Sequence, residues 1–170
     1  MALYHFSVRH VSRGKGQMVV ASAAYISGQR IFDSYYNKIH DYTSKSGVVF
    51  TEILTPEYVP ERLTDRETLW NEVEHVERNN KAQLAYSFDI ALQNELTLEE
   101  NIKLAKEFCQ EQFVARGMIV DLAVHEGKSD NEEEPDNPHF HVLVPIRPFT
   151  EDGIWGNKQR REYILDEDGN

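Results

Sequence analysis

The sequence predicts an α+β domain, a central antiparallel sheet of about five strands with helices packed mainly on one face. Three observations carry this prediction. Strand-like runs, alternating or rich in β-branched residues, stand at 3–10, 48–54, 84–92, 118–125 and 139–146. Segments with capping signals and apolar residues at helical spacing lie between them. The last two runs follow one another across a charged loop, as the arms of a hairpin do.

In LYHFSVRH, residues 3–10, Tyr4, Phe6 and Val8 fall on one side and Leu3, His5, Ser7 and Arg9 on the other, the pattern of a half-buried strand. SRGKGQ then breaks the chain as a loop, and the alanine-rich stretch from Gln17 to about Ile31 favours helix, with Tyr25 late on it and Gly28 near its end. SYYNKIHDYTSKSG is polar and turn-rich, VVFTEIL is a strand, and TPEYVPERL is a loop broken by Pro56 and Pro60. Thr64 and Glu67 have capping-box spacing ahead of Leu69, Trp70, Val73 and Val76, which predicts a helix ending near Asn79 and Asn80. In LAYSFDIAL, Leu84, Tyr86, Phe88, Ile90 and Leu92 share one face, leaving Ala85, Ser87, Asp89 and Ala91 as a small, polar second face. Thr97 and Glu100 form a second capping box, followed by a stripe of Leu98, Ile102, Ala105, Cys109 and Phe113 that Gly117 stops. MIVDLAVH and HFHVLVPI close the set as hairpin partners joined by EGKSDNEEEPDNP.

A chain of 170 residues with 40% apolar and 28% charged residues is one globular domain with a core of its own. The single cysteine, Cys109, excludes an intrachain disulfide and fits a reducing compartment; its place on the apolar stripe makes it a core residue. The N-terminus has no basic segment followed by an apolar one, and no run is long enough to span a bilayer, so a soluble, cytoplasmic protein without membrane insertion is expected. No internal repeat or second domain is visible in residues 1–170, and the polar tail ending in DEDGN leads us to expect an N-terminal piece of a longer protein. A net charge of −11 argues against a protein that simply coats nucleic acid. Residues 1–32, however, contain Arg9, Arg13, Lys15 and Arg30 and no acid, so that end can meet an anion.

The chemistry gathers around three histidines. His139 and His141 share a strand face, and His125 lies on the partner strand beside Asp121 and Ala123 on its own face. H-x-H on a strand is by itself also the pattern of an ordinary polar face. If the strands pair, three imidazoles converge, and a three-histidine site with open positions suits a divalent cation acting as a Lewis acid. His10, His40 and His75 read as loop or solvated residues, while His5 is on the polar face of the first strand and could line the site. Tyr25, on a helix inside the basic segment, is a candidate nucleophile, with a core tyrosine as the alternative. Residue chemistry alone stops at a metal-binding α+β domain with a basic N-terminal edge.

NPHFHVLVPIRP resembles the His-hydrophobe-His motif of the HUH endonucleases, and YHFSVRHVSRGKGQMVVASAAYISGQRIFD is similar to the start of the MobA/MobL plasmid mobilisation relaxases. The likeness extends through DYTSKSGVVFTEILTPE, DRETLWNEVEHVE, IKLAKEF and GMIVDLAVHEG, in the family's order. The resemblance implies a relaxase-like palm that nicks and rejoins single-stranded DNA at an origin-of-transfer nick site. It further implies that His125, His139 and His141 hold Mg2+ or Mn2+, and that Tyr25 attacks phosphorus to leave a 3′-OH and a 5′-phosphotyrosine. Relatives carry acids on the strand matching LAYSFDIAL; here Ser87 takes one such place and Asp89 the other. Asp89 is therefore nominated as the supporting or proton-accepting carboxylate, with Asp121 as rival. DNA contacts are expected from Arg9, Arg13, Lys15 and Arg30, from Arg147, and from Lys158, Arg160 and Arg161 near Trp155; Trp155 and Tyr163 either stack on bases or fill core. Accessory relaxosome proteins and a coupling protein are the further partners implied. The competing expectations are a rolling-circle replication initiator, a three-histidine hydrolase or oxygenase for a small molecule, and a DNA-binding module without chemistry.

Overall fold

The structure, a computed structural model, describes residues 4–131 and 136–158. In chain order the elements are β1 (Phe6–Ser12), α1 (Val19–Ser27), β2 (Arg30–Asp33), β3 (Lys38–Asp41), β4 (Val48–Leu54), α2 (Arg66–Val76), β5 (Gln83–Ala91), α3 (Leu98–Gln112), β6 (Val120–His125) and β7 (His139–Pro145). Five strands form one sheet in the order β1-β5-β7-β6-β4, every pair antiparallel. β7 is central, so the H-x-H strand is held on both sides.

The helices divide two to one across this sheet. α1 and α2 lie on the face where Val11, Ala85, Ala123 and Leu143 pack with Val20, Ala23, Leu69 and Trp70. α3 covers the other face, where Ala105 and Cys109 meet Leu122, Val124, Phe140, Val142 and Val144. Small residues explain the closeness of α1: Ala23, Ala24, Ala85 and Ala123 are all fully buried, so helix and sheet backbones approach without bulky side chains between them. The capping box at the start of α3 forms as expected, Thr97 and Glu100 exchanging side-chain to backbone hydrogen bonds. Cys109 is buried in the core, and burial pushes its thiol up to about 12, which makes it inert at neutral pH.

Five local expectations give way. The helix expected to reach Ile31 ends at Ser27, because Gly28 adopts a left-handed φ of 64° and its amide closes on the carbonyl of Ala24. Ile31 instead belongs to β2, which pairs with β3 as a separate two-stranded sheet inside the stretch expected to be loop. The Asp33 carboxylate accepts the amides of Tyr35 and Tyr36, and Asn37 takes a left-handed φ of 50°, which closes that hairpin. His40, expected in a loop, is buried on β3 with Nε2 3.3 Å from Asp33. His10 is likewise a strand residue on β1, its ring 5.0 Å from that of Tyr86. At α2 the cap is Asp65, whose carboxylate accepts the Thr68 amide, and Thr64, one residue earlier, ends the preceding turn with its hydroxyl donated to the Glu61 carbonyl.

Asp121 corrects a functional expectation. Fully buried near the start of β6, its carboxylate accepts two bonds of 2.8 Å from the Arg66 guanidinium and a third from the Trp70 indole. Every strong donor near it is thereby used, and Arg66 reaches on to Gln29 just past α1. Asp121 thus ties α2 to the sheet and is not free to serve a tyrosine or a metal. Replacing it by Ala leaves a buried guanidinium unpaired, so Asp121→Ala should cost about 3–5 kcal/mol in urea denaturation, with Mn2+ affinity per folded molecule retained. A variant as stable as the parent would refute the structural assignment.

Candidate metal centre and cleft

β6 and β7 pair so that His125 faces His139 directly and Ala123 faces His141. Alternation then puts all three imidazoles on the α1 side of the sheet at one end, with ring centroids 4.6–5.1 Å apart. One nitrogen from each histidine lies within 4.8 Å of the others, spacing that small side-chain rotations close onto one ion.

Two of the rings are oriented by the backbone. His125 Nε2 is 2.7 Å from the carbonyl oxygen of Ile26, and since a carbonyl only accepts, that nitrogen carries the proton and Nδ1 keeps its lone pair. His139 Nδ1 makes the matching bond of 2.8 Å to the carbonyl of Asn137, which frees Nε2. Such outer bonds fix tautomer and ring direction in metal sites. His141 Nδ1 stands 4.0 Å from Asp89 Oδ2, and His5 Nε2 stands 4.0 Å from the same oxygen. Burial lowers the pKa of His125 and holds that of His141 down to about 4, Asp89 opposing the second shift and the neighbouring imidazoles adding to it. Neutral imidazoles are the form a metal needs. The donor set, the tautomers of His125 and His139 and the lowered pKa of His125 and His141 therefore fit a divalent cation.

Tyr25 sits in the last turn of α1, 49% exposed, and lines an open cleft of about 350 Å3 with His141, Arg9, His10, Ser22 and Ser87. On the other side of the histidines, His125 and His139 border a second recess of about 360 Å3 with Ser46, Gly47, Lys128 and Asp130.

The expected DNA-contacting residues separate into two groups. Arg9 lines the tyrosine cleft; Lys15 and Arg30 are exposed, Arg30 with Nε 3.8 Å from Asp41. Arg13 is buried, its guanidinium bonded to Glu74 and to the carbonyls of Glu77 and Asn79, so it caps the end of α2 and has no donor left for phosphate. Arg147 and Lys158 both pair with Glu77, at 2.6 and 2.7 Å. They lie beyond the far end of β7, roughly 20 Å from His141 at strand rise. Trp155 packs on the core and donates to Glu72, which decides between its two readings in favour of core. Arg160, Arg161 and Tyr163 lie outside the described residues. Two residues at the site were not singled out from sequence, Tyr42 and Lys45. Both belong to a polar turn-rich stretch where no periodicity marks a side chain.

The MobA/MobL family model matches residues 17–170. The conjugal transfer protein TraA of Agrobacterium fabrum is 37% identical over 99% of this chain, which spans 15% of that relative. The probable mobilization protein MobA of Bifidobacterium longum is 35% identical, with this chain spanning 29% of it, and the mobilization protein MobL of Acidithiobacillus ferridurans is 32% identical over 91% of the chain. A solved structure described as the molecular basis of vancomycin resistance transfer in Staphylococcus aureus superposes with a TM-score of 0.83 at 38% identity, covering 97% of this chain and 81% of its own. Among the described residues no helix is long and apolar enough to cross a membrane.

His141 gives the metal-free protein a pH signature. Its folded pKa, about 4, lies below the ordinary 6.5, so between those values the unfolded chain binds more protons. Stability is full above pH 6.5 and falls as the pH drops towards 4. In chelator, His141→Gln should flatten this part of the urea-denaturation profile by on the order of 2 kcal/mol; parallel profiles for the two proteins would count against it. Matched by the family model over residues 17–170 and 32–37% identical to mobilisation proteins over 91–99% of its length, this chain belongs to the MobA/MobL family.

Proposed function

We propose that this chain is the DNA-nicking unit of a longer mobilisation protein, cutting and rejoining one strand at a plasmid origin of transfer through a tyrosyl-DNA link. The observation that carries the reading is the shared cleft of Tyr25 and His141, in which the helix bearing the tyrosine is bonded to His125 at the very next residue, Ile26. A nucleophile and a candidate metal centre are thus held by one set of backbone bonds.

In the reaction, the Tyr25 oxygen forms a bond to phosphorus while the bond from phosphorus to the 3′ oxygen breaks. The phenolic proton passes to a nearby base, for which Asp89 is assigned, and the departing oxygen takes up a proton to become the 3′-OH. His125, His139 and His141 would hold Mg2+ or Mn2+, which when bound supplies positive charge against that gathering on the phosphate oxygens. The phosphotyrosine keeps the diester bond energy, so the same residues can run the transfer backwards. Asp89 also faces His141 across β5 and β7, a place from which it orients the imidazole. Arg9, in the cleft, is the side chain assigned to an adjoining phosphate.

Incubation with a labelled single-stranded oligonucleotide spanning the nick region and Mn2+, followed by a denaturing gel, tests the reading. Wild-type protein should give a covalent adduct and Tyr25→Phe none, while calorimetry shows Mn2+ bound equally by both. An adduct formed by Tyr25→Phe would remove Tyr25 as nucleophile. Arg9→Ala should weaken oligonucleotide binding and reduce the slope of log K against log salt by about 0.7, one single-strand phosphate contact. Lys158→Ala, at the far end of the sheet, should leave both unchanged; the reverse pattern in a salt titration would move the DNA path to that end.

A further inference from the structure

Tyr25 has a partner to which the proposed reaction gives no part. The Lys45 ammonium stands 3.5 Å from the centroid of the Tyr25 ring, over its face, and donates a 3.1 Å bond to the Tyr25 carbonyl oxygen. Tyr42 meets the same ring edge-on, with centroids 5.3 Å apart and planes at 89°. The side chain of the nucleophile is therefore held by two residues of the segment between β3 and β4.

That segment is itself fixed at both ends. The Tyr42 amide donates to the carbonyl of Gln29, just past α1, and the carbonyl of Gly47 accepts from the amide of Glu126, just past the ligand His125. Between them the Lys45 amide closes a turn on Tyr42, at 2.9 Å. Gly28 lets the segment sit tightly on the helix end, for a Cβ there would stand 3.3 Å from Val48 and 3.9 Å from the Lys45 carbonyl. Lys45 thus bridges the end of the tyrosine helix and the end of the histidine strand. Burial lowers its pKa, and no carboxylate contributes a compensating rise.

We infer that Lys45 is a positioning residue for the nucleophile, its ammonium clamping the Tyr25 ring beside the histidines and opposing the charge that develops on the phenol as its proton leaves. The physical basis is that a cation over an aromatic face is attracted to the ring, and more strongly once the ring carries negative charge. The contact is then worth more in the transition state than in the resting complex, the condition for raising a rate and not merely an affinity. Lys45 keeps its own protons throughout; the phenolic proton goes to the base as before. A lysine that only bound the DNA backbone would show the opposite division, through affinity and salt dependence.

The inference rests on Tyr25 as nucleophile, so its test separates the two. Lys45→Met and Lys45→Arg are compared with wild type in single-turnover adduct formation at saturating oligonucleotide and Mn2+, with oligonucleotide affinity measured by anisotropy. For Lys45→Met the saturated rate should fall about tenfold or more, with affinity and salt slope within about twofold of wild type, and Lys45→Arg should recover most of the rate. An unchanged saturated rate, or a loss confined to affinity, overturns the inference while the proposed function stands. If wild type gives no adduct, the proposed function fails instead. The clamp is then read from 13C relaxation of the Tyr25 ring, whose order should drop in Lys45→Met and persist in Lys45→Arg; equal order in all three proteins overturns it. Thermal melts of both variants, changed at a half-buried loop position, establish that they fold.

Discussion

The register in which β6 pairs with β7 is the constraint on which the site depends. With His125 opposite His139 and Ala123 opposite His141, period-two alternation puts three imidazoles on one face at one end of the sheet. A slip of one residue in β7 would turn His139 and His141 under α3 and send Phe140, Val142 and Val144 towards α1. Those three pack with Leu122 and Val124 beneath α3, and losing their burial would cost roughly 5 kcal/mol or more. The core on one face thus sets the geometry of the polar site on the other.

The second coupling runs from sheet to helix. The last carbonyls of an α-helix lack intrahelical partners, and the carbonyl of Ile26 is one of these. His125 supplies its donor, at 2.7 Å. Leaving such a buried acceptor unpaired costs about 1–3 kcal/mol, so the bond is firm enough to position the end of α1 against the histidines. The same bond fixes the His125 tautomer that leaves Nδ1 free. A short helix packed on alanines would otherwise slide easily over a flat, small-residue face; Ala23, Ala24, Ala85 and Ala123 give it closeness but little grip. Arg66, reaching both Asp121 and Gln29, adds a second anchor just past that helix.

How much of this was legible depended on the range of the interactions involved. The five strands of the main sheet, the capping box at Thr97 and Glu100, and the convergence of His125, His139 and His141 rest on local periodicity plus one pairing, and all were readable. The β2-β3 hairpin was not, because its turn depends on the Asp33 carboxylate capping the amides of Tyr35 and Tyr36 in a stretch with no apolar alternation. The role of Asp121 was hidden for another reason. Its sequence neighbours put it on the histidine face, but its chemistry is decided by Arg66 and Trp70, more than 50 residues away. Lys45 was invisible in the same way, a lysine in a polar turn whose ring partner lies 20 residues back.

Charge is where composition misled most, and where three-dimensional placement says most. A basic N-terminal stretch on an acidic chain suggested that its arginines act together. Arg13 instead goes inward to Glu74 and the end of α2, while Arg147 and Lys158 share the one carboxylate of Glu77 at the same end of the sheet. Glu74 balances Arg13, whereas the single carboxylate of Glu77 offsets one of the two charges of Arg147 and Lys158. Arg9 lines the tyrosine cleft and Lys45 lies over the tyrosine ring, and neither has a carboxylate partner among the ion pairs found in the described residues. Only unneutralised cations release counterions from a phosphate chain on contact. Under the proposed function, Arg9 and Lys45 are the cations that would meet a phosphate at the histidine end, offsetting Glu126 and Asp130 at the recess there on a protein whose overall charge is −11.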